Sequence, residues 1–254
     1  MAKEIGIITG GVSGIGLETA KRLNATGSWT LHLLDRNRAA ADAALHAVPG
    51  ATFHEVDLTS YDTQAQAFQA MTLIILLLAT VIATAYLALH YMRLSPHRGK
   101  GGVIVLTGSI GGLYAASFQP IYGAAKASTI HFVRGVASPL YHNDRIRICT
   151  VCPGNVHTNM LRADEWSAFP PEFFSPVESL AQAVEMVIAG GEMVDCTGRL
   201  AVLRGKDWGF TVEVYGRDKL YFRDQVDFAD GDIRTVIEVA SVDNAVAAGI
   251  AGGS

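Results

Sequence analysis

Three side chains in the middle of the sequence have the types and the spacing needed for proton transfer at an alcohol or a carbonyl group. Tyr122 and Lys126 are four residues apart, so in a helix they lie one turn apart on the same face. An ammonium group near a phenol stabilises the phenolate, which lets the phenol act as a general acid and base. Ser109 ends the apolar run that starts at Val103, and we expect its hydroxyl to hold the substrate oxygen against Tyr122.

A second set of residues has the pattern of a phosphate-binding turn. Residues 9–16 read TGGVSGIG and stand between a predicted strand and a predicted helix. The three spaced glycines allow a tight turn and close approach of the backbone, and the N–H groups of the helix start face the phosphates. The alternative is a tight turn without a ligand. The predicted cofactor contacts of this loop are Gly10, Ser13, Gly14, Ile15 and Gly16.

Carboxylates follow the next two predicted strands. Asp35 ends the second strand, where a carboxylate accepts hydrogen bonds from the adenosine ribose and repels a 2′-phosphate, which favours NAD over NADP. The neighbouring Arg36 weakens this preference because a guanidinium binds that phosphate, and a solvated loop carboxylate is the alternative for Asp35. Asp57 and Leu58 follow the third strand and are predicted to border the adenine.

Short apolar runs alternate with alanine-rich helical stretches along most of the chain. The predicted strands are Lys3–Ile8, Trp29–Leu34, Ala51–Val56, Gly102–Leu106, Arg145–Val151 and Leu200–Leu203. The predicted helices are Ile15–Asn24, Arg38–Ala47, Tyr122–Tyr141 and Glu178–Ile188. This alternation predicts an α/β fold with a doubly wound parallel sheet flanked by helices. We expect one domain over residues 1–254, with a poorly defined tail from about residue 223.

Composition excludes several classes of protein. The net charge of −4 argues against a nucleic-acid partner, which requires a clustered basic excess. Three cysteines cannot form a disulfide framework, and the pair Cys149 and Cys152 lacks the second pair of a zinc site, so we expect no metal. The amino-terminal sequence does not resemble a signal peptide. These features favour a reducing, cytoplasmic compartment.

Together these residues resemble the short-chain dehydrogenase/reductase family. The resemblance rests on the TGGVSGIG loop, Asp57, Ser109, the Tyr122 and Lys126 pair, and Pro153-Gly154 followed by Thr158, and it extends from residue 3 to about 210. Within the family the chain is most similar to NAD-dependent 15-hydroxyprostaglandin dehydrogenases. The segments that carry this finer resemblance are TAYLALHYM (84–92), GKGGVIV (99–105), QPIYGAAK (119–126) and CPGNVHTNM (152–160).

The resemblance implies a Rossmann-like fold and hydride transfer between NAD and a secondary alcohol or ketone, carried out by a homodimer. Ser109, Tyr122 and Lys126 would be the catalytic residues, and Lys126 would also bind the nicotinamide ribose. Gln119, three residues before the tyrosine, corresponds to a glutamine that contacts substrate. The residues implied to hold the nicotinamide half of the cofactor are Pro153, Gly154, Val156 and Thr158.

The family's fourth strand and its Asn-Asn-Ala-Gly motif have no counterpart in this sequence. Only 52 residues separate Asp57 from Ser109, a shorter stretch than family members use, and Leu77 stands where an ungapped count places the family's water-ordering asparagine. We predict that Thr72–Leu78 replaces the strand and that a helix follows from Ala79 to Arg93. Alternatively residues 71–93 form one apolar helix beside a broken sheet, or a membrane span over 71–91.

Two further interpretations of the protein's function follow from this region. A catalytically impaired or truncated family member is the alternative to an active enzyme, and a membrane-associated oxidoreductase is a second one.

The segment Leu161–Pro176 corresponds to the family's lid and carries Trp166, Phe169, Phe173 and Phe174. These rings favour an apolar substrate over a sugar, unless they pack only against the lid itself.

Overall fold

The computed structural model describes residues 3–57, 69–94, 101–157, 170–202 and 205–239, with the backbone alone for 69–80 and 239. The first part of the chain contains β1 (Glu4–Thr9), α1 (Gly14–Ala25), β2 (Trp29–Asp35), α2 (Ala41–Ala47) and β3 (Thr52–Glu55). The second part contains α3 (Gln69–Leu94), β4 (Gly102–Thr107), α4 (Pro120–Asp144), β5 (Ile146–Pro153), α5 (Val177–Ala189), β6 (Met193–Val194), β7 (Leu200–Val202), β8 (Thr211–Tyr215), β9 (Lys219–Arg223) and α6 (Gly231–Val239). The predicted α/β class is confirmed.

The first sheet contains β1, β2 and β3, all parallel, in the order in which they occur in the chain. Leu31 and Leu33 on β2 are buried against α1 and α2, in a cluster that includes Leu23 and Val48. The opposite face of this sheet is open: Ile5 and Ile7 on β1 are 68% and 61% exposed. Helices therefore cover this sheet on one face within the described part of the chain.

The second sheet has the order β4-β5-β8-β9, with β8 and β9 forming an antiparallel hairpin. Its two faces are both covered by helices. Ile104 and Ile148 pack with Val133 of α4 and Leu89 of α3 on one face. On the other face Val151 and Val212 pack with Leu180 and Val187 of α5. This sheet therefore has the two helical layers that the strand–helix alternation predicted.

Helices α1 and α5 connect the two sheets. Arg22 of α1 donates two hydrogen bonds to the same oxygen of Glu185, at 2.9 and 2.6 Å. Ile15 at the start of α1 packs against the core of the second sheet, and Ile188 at the end of α5 packs against the core of the first. The glycine loop is consequently held close to the second sheet by helix packing.

The predicted strand Thr72–Leu78 is wrong, because α3 runs unbroken from Gln69 to Leu94. This stretch has no glycine or proline and is rich in leucine and alanine, so nothing in it ends a helix that has started. The segment forms one helix, as both alternatives to the strand required. Among the described strands, β1 pairs only with β2 and β4 only with β5, so their facing edges are unpaired.

Two further differences concern the carboxyl-terminal third. Residues Leu200–Val202 form a strand, but it pairs antiparallel with Met193–Val194 outside the main sheet, and β8 is the last parallel strand instead. Composition did not reveal α6, whose first turn is capped by Asp230 through hydrogen bonds from the N–H groups of Asp232 and Ile233. Within the residues described with their side chains, no helix is long and apolar enough to cross a membrane.

Candidate active site

The glycine loop between β1 and α1 has the geometry of a phosphate cradle. Gly10 and Gly14 have φ angles of +65° and +50°, a region that side chains other than glycine rarely adopt. A Cβ at Gly16 would collide with the carbonyl oxygen of Gly10. Ser13 is the N-cap of α1, yet its side chain makes no capping hydrogen bond. The N–H groups of the first helical turn, at Gly14 to Gly16, are therefore available to an anion. These residues fit the pyrophosphate of a dinucleotide.

Asp35 lies beside this loop and is held by backbone hydrogen bonds. Its Oδ2 accepts from the N–H of Val12 at 3.4 Å, and its Oδ1 accepts from the N–H of Asn37 at 3.0 Å. An open groove of about 560 Å³ continues from there, lined by Arg36, Asn37, Glu55 and Asp57. The structure thus places Asp35, Arg36 and Asp57 together at the carboxyl ends of β2 and β3. Leu58 lies outside the described residues.

Ser109 and Tyr122 meet on either side of Gly111. Ser109 follows β4 and is buried, and its Oγ accepts a hydrogen bond from the N–H of Gly111 at 3.1 Å. A Cβ added to Gly111 would lie 3.6 Å from that Oγ and 3.5 Å from two ring carbons of Tyr122. The serine hydroxyl and the tyrosine ring therefore border one small space beside the glycine.

Lys126 lies one helical turn after Tyr122, as the spacing predicted. Its Nζ is 5.8 Å from the centroid of the Tyr122 ring and donates a hydrogen bond to the carbonyl oxygen of Thr107 at 2.9 Å. Burial lowers the pKa of the Lys126 ammonium below its usual value. A positive charge in such surroundings interacts strongly with a phenolate, because water screens it poorly.

Cys152 lies close to Gly108, Ser109 and Lys126. A Cβ at Gly108 would approach its Sγ to 2.6 Å, and burial raises the pKa of the thiol to about 12. Burial raises the pKa of Cys149 to about 12 as well. Because side chains alternate along a strand, the two thiols point to opposite faces of β5 and cannot bind the same metal ion. In the parts of the chain that are described, three metal-ligating side chains nowhere come together.

The Pro-Gly loop follows β5 and leads to the core cluster against which Ile15 of α1 packs. Pro153 ends β5, and the N–H of Gly154 donates to the carbonyl oxygen of Val214 at 2.8 Å. A Cβ at Gly154 would come within 2.9 Å of the Tyr215 ring, so this position requires glycine. Val156 is buried in the same core cluster that Ile15 packs against. Thr158 lies outside the described residues.

Gln119 is exposed and immediately precedes α4, where its carbonyl oxygen accepts a hydrogen bond from the N–H of Gly123 at 2.9 Å. It lies one turn before Tyr122, at the same end of the helix. Of the four aromatic residues assigned to the lid, Trp166 and Phe169 lie outside the described residues. Phe174 stacks on His157 with ring centroids 3.9 Å apart, and Phe173 is 45% exposed.

One cluster near the site was not found from the sequence. Glu213 on β8 is buried, and it accepts hydrogen bonds from the Tyr114 hydroxyl at 2.8 Å and from the Arg223 guanidinium. Tyr114 belongs to the loop that follows Ser109, so the cluster ties that loop to the β8–β9 hairpin. Burial and the hydrogen bond to Glu213 raise the pKa of Tyr114. A charged residue within an apolar strand was the available signal.

Comparisons of the sequence with known proteins agree with this geometry. The model of the short chain dehydrogenase family matches residues 4–75 and 72–167, two matches that meet in the first turns of α3. Short-chain dehydrogenase/reductase prx7 of Penicillium rubens is 34% identical over 281 positions, covering 92% of this chain and 99% of the relative. Because the chain has 254 residues, this alignment contains gaps in it.

The finer resemblance extends over a smaller part of the chain. Human 15-hydroxyprostaglandin dehydrogenase [NAD(+)] is 36% identical over 89 residues, which is 35% of this chain and 33% of that enzyme. Among solved structures, a short chain dehydrogenase from Mycobacterium paratuberculosis bound to NAD is similar with a TM-score of 0.59 and 18% identity. The superposed region covers 72% of this chain and 90% of the Mycobacterium paratuberculosis chain. At that identity the likeness shows the fold.

Proposed function

The chain belongs to the short-chain dehydrogenase/reductase family, and we propose that it transfers a hydride between NAD and an apolar secondary alcohol or the corresponding ketone. The observation that carries this proposal is the space beside Gly111, bordered by the Ser109 hydroxyl and the Tyr122 ring, with Lys126 one turn away. A hydroxyl, a phenol and a partly desolvated ammonium in this arrangement can hold an oxygen atom and move its proton.

In the proposed reaction each of the three residues acts on the substrate oxygen. Ser109 donates a hydrogen bond that fixes the oxygen beside the Tyr122 hydroxyl. Tyr122, as phenolate, accepts the hydroxyl proton at its Oη as the C–H bond of the alcohol breaks, and returns it in the reverse reaction. Lys126 stabilises the phenolate through its charge. The nicotinamide ring, when bound, accepts or supplies the hydride.

The cofactor is proposed to lie along the carboxyl ends of the strands. The pyrophosphate would accept hydrogen bonds from the N–H groups of Gly14, Ile15 and Gly16, and the adenosine ribose would donate to Asp35. Asp57 would border the adenine, and Pro153, Gly154 and Val156 would line the nicotinamide half. NAD is preferred to NADP because the Asp35 carboxylate repels a 2′-phosphate. Ile15 packs against the core cluster that contains Val156, which supports this path.

An apolar substrate is supported by the aromatic side chains at the described end of the lid, Phe173 and Phe174. Gln119 would contact the part of the substrate that lies away from the reacting carbon, because it is exposed one turn before Tyr122. The curated human relative named above is a prostaglandin dehydrogenase, which is consistent with a lipid-like alcohol. The substrate class is therefore proposed from both observations.

The proposal is tested by nucleotide titration followed by turnover. Purified protein should change the fluorescence of NADH in a saturable way, and that of NADPH less strongly. With NAD and a panel of apolar secondary alcohols, NADH should form and be followed at its own absorbance. A folded protein that binds neither nucleotide would contradict the proposal.

A second candidate function, a family member without catalytic activity, is favoured by the unpaired edges of β1 and β4. These edges leave backbone groups of two central strands without a strand partner within the described part of the chain. Saturable NADH binding without turnover on any alcohol of the panel would support this candidate, while turnover would exclude it.

We further propose that the protein is a cytoplasmic homodimer. Three apolar side chains at helical spacing on α3, Leu87, Tyr91 and Leu94, are each more than half exposed, and a second copy of the helix would cover them. The buried Cys149 and Cys152 are free thiols, as is usual in a reducing compartment. Light scattering after gel filtration should give twice the chain mass, and Leu87→Glu should lower it to that of one chain.

A further inference from the structure

The groove at the carboxyl ends of β2 and β3 contains a carboxylate to which the proposed function gives no role. Glu55 is the last residue of β3 and is paired in register with Asp35, the last residue of β2. Side chains of residues paired across parallel strands project to the same side of the sheet. Glu55 also lines the groove together with Arg36, Asn37 and Asp57. The two carboxylates are therefore neighbours at the adenosine end of the proposed cofactor path.

The surroundings of the two carboxylates differ. Asp35 accepts one backbone hydrogen bond on each oxygen, from Val12 and from Asn37, which fixes its orientation toward the glycine loop. Each of its oxygens keeps a further lone pair for a ribose hydroxyl. Glu55 is exposed, and within the described part of the chain no hydrogen bond or ion pair engages its carboxylate. Its charge is therefore directed at whatever occupies the groove.

The charges that line the groove disfavour an additional phosphate on the adenosine ribose. Among the described residues that line the groove, Glu55 and Asp57 are acidic and Arg36 is basic. Asp35 lies beside Glu55 on the neighbouring strand. Arg38 is the next basic residue after Arg36 in the sequence, but it is not among the described residues that line the groove. Its guanidinium lies over the Phe53 ring, 5.4 Å from the ring centroid. A phosphate monoester carries about two negative charges at neutral pH and is repelled by carboxylates at this range.

We propose that Glu55 is a second specificity-determining residue, whose carboxylate acts beside that of Asp35 to disfavour the 2′-phosphate of NADP. This inference rests on the proposed binding of a dinucleotide along the glycine loop. If Asp35 were the only discriminating residue, Asp35→Ser would abolish the preference for NADH. Because Glu55 still presents negative charge at the ribose, we expect Asp35→Ser by itself to leave NADH the preferred nucleotide.

The test uses Glu55→Gln, which removes the charge and keeps the shape of the side chain. We expect the ratio of the NADPH to the NADH dissociation constant to fall about 3- to 10-fold, the effect of removing one nearby like charge at a solvated site. The double variant Asp35→Ser, Glu55→Gln should lower the ratio further than either change alone. Fluorescence titration with the two reduced nucleotides gives both constants without any substrate.

Two matched variants separate a local effect from a general one. Glu4→Gln removes the same charge from an exposed glutamate at the opposite end of the same sheet, and it should leave the ratio unchanged. Glu55→Asp keeps the charge and should keep most of the discrimination. Thermal unfolding midpoints should agree among all three, because both glutamates are exposed.

Each other outcome overturns a defined statement. A Glu55→Gln ratio equal to that of wild type or of Glu4→Gln, with NADH still bound, removes the role of Glu55 and leaves the proposed function intact. Wild-type protein that binds NADPH as tightly as NADH also overturns the inference. Folded wild-type protein that binds neither nucleotide removes the proposed function, and the role of Glu55 with it.

Discussion

Within the described part of the chain, the sheet that carries the glycine loop has helices on one face, whereas the sheet that carries Ser109 has helices on both. Ile7 of β1 is 61% exposed, while Ile148, at a central position of β5, is fully buried. Among the described strands, the first sheet ends at the unpaired edge of β1, and the second begins at the unpaired edge of β4. The glycine loop therefore depends on α1 and α5 for its position, while Ser109, Tyr122 and Lys126 are held by a closed core.

The two halves of the proposed site require different parts of the fold. The turn at Gly10 to Gly16 is a local structure, set by glycine conformations and the start of one helix. The space between Ser109 and Tyr122 needs β4, α4 and the intervening turn, which are all present in the second sheet. A shortened chain can therefore retain both halves, provided that the contact of Ile15 with the second core keeps them together.

Removing the Tyr122 hydroxyl should have the largest effect and should separate the two regions. Tyr122→Phe is expected to lower turnover about 100-fold or more, because general acid–base catalysis contributes that much, while the NADH dissociation constant stays unchanged. Tyr141→Phe, on the same helix and outside the site, serves as the control. Turnover that survives in Tyr122→Phe would exclude the phenol from proton transfer.

The pair Ile148→Ala and Ile7→Ala tests the difference in enclosure directly. Truncating the buried Ile148 should lower the free energy of unfolding by about 2–5 kcal/mol, since it leaves a cavity between the sheet and the layer formed by α3 and α4. Truncating the exposed Ile7 should cost less than about 1 kcal/mol, because it removes little buried surface. Urea unfolding of both variants measures the difference. Equal losses would mean that the outer face of β1 is covered in solution.

Gly16→Ala should act on the first region alone. The added methyl group would collide with the Gly10 carbonyl and displace the loop, so NADH affinity should fall about 10-fold or more. Gly135→Ala is a matched control on α4, where a Cβ meets no atom within 4 Å, and helix propensity favours alanine by about 0.5–1 kcal/mol. Unchanged NADH affinity in Gly16→Ala would contradict the binding of the cofactor's phosphates by this loop.

The smallest expected effect concerns the thiols. Only Cys196 should react with a thiol reagent at pH 8 in folded protein, because Cys149 and Cys152 are buried in the second sheet. Their folded pKa values of about 12 lie above the ordinary value of 9.0. Their stabilising contribution is therefore present below pH 9 and is lost as the pH rises toward 12. Reaction of all three thiols at pH 8 without denaturant would contradict a closed core.

Local patterns predicted more of this molecule than long-range ones. The glycine loop and the Tyr122 and Lys126 pair depend on residues within one turn, so spacing alone predicted their place between β1 and α1 and on one face of α4. The apolar run after Gln69 is compatible with a strand or a helix, and the strand predicted for Thr72–Leu78 was wrong. The hydrogen bond from Tyr114 to Glu213 spans 99 residues and leaves no local pattern. The strand β8 was missed because Glu213 interrupts its apolar run.

A calorimetric titration of the folded wild-type protein with NADH tests whether a chain with a divided sheet still binds a dinucleotide between the glycine loop and Tyr122. We predict saturable binding at one site per chain, weakened about 10-fold or more in Gly16→Ala and retained in Tyr122→Phe. Heats of dilution alone, from protein whose circular dichroism shows it to be folded, would contradict this prediction.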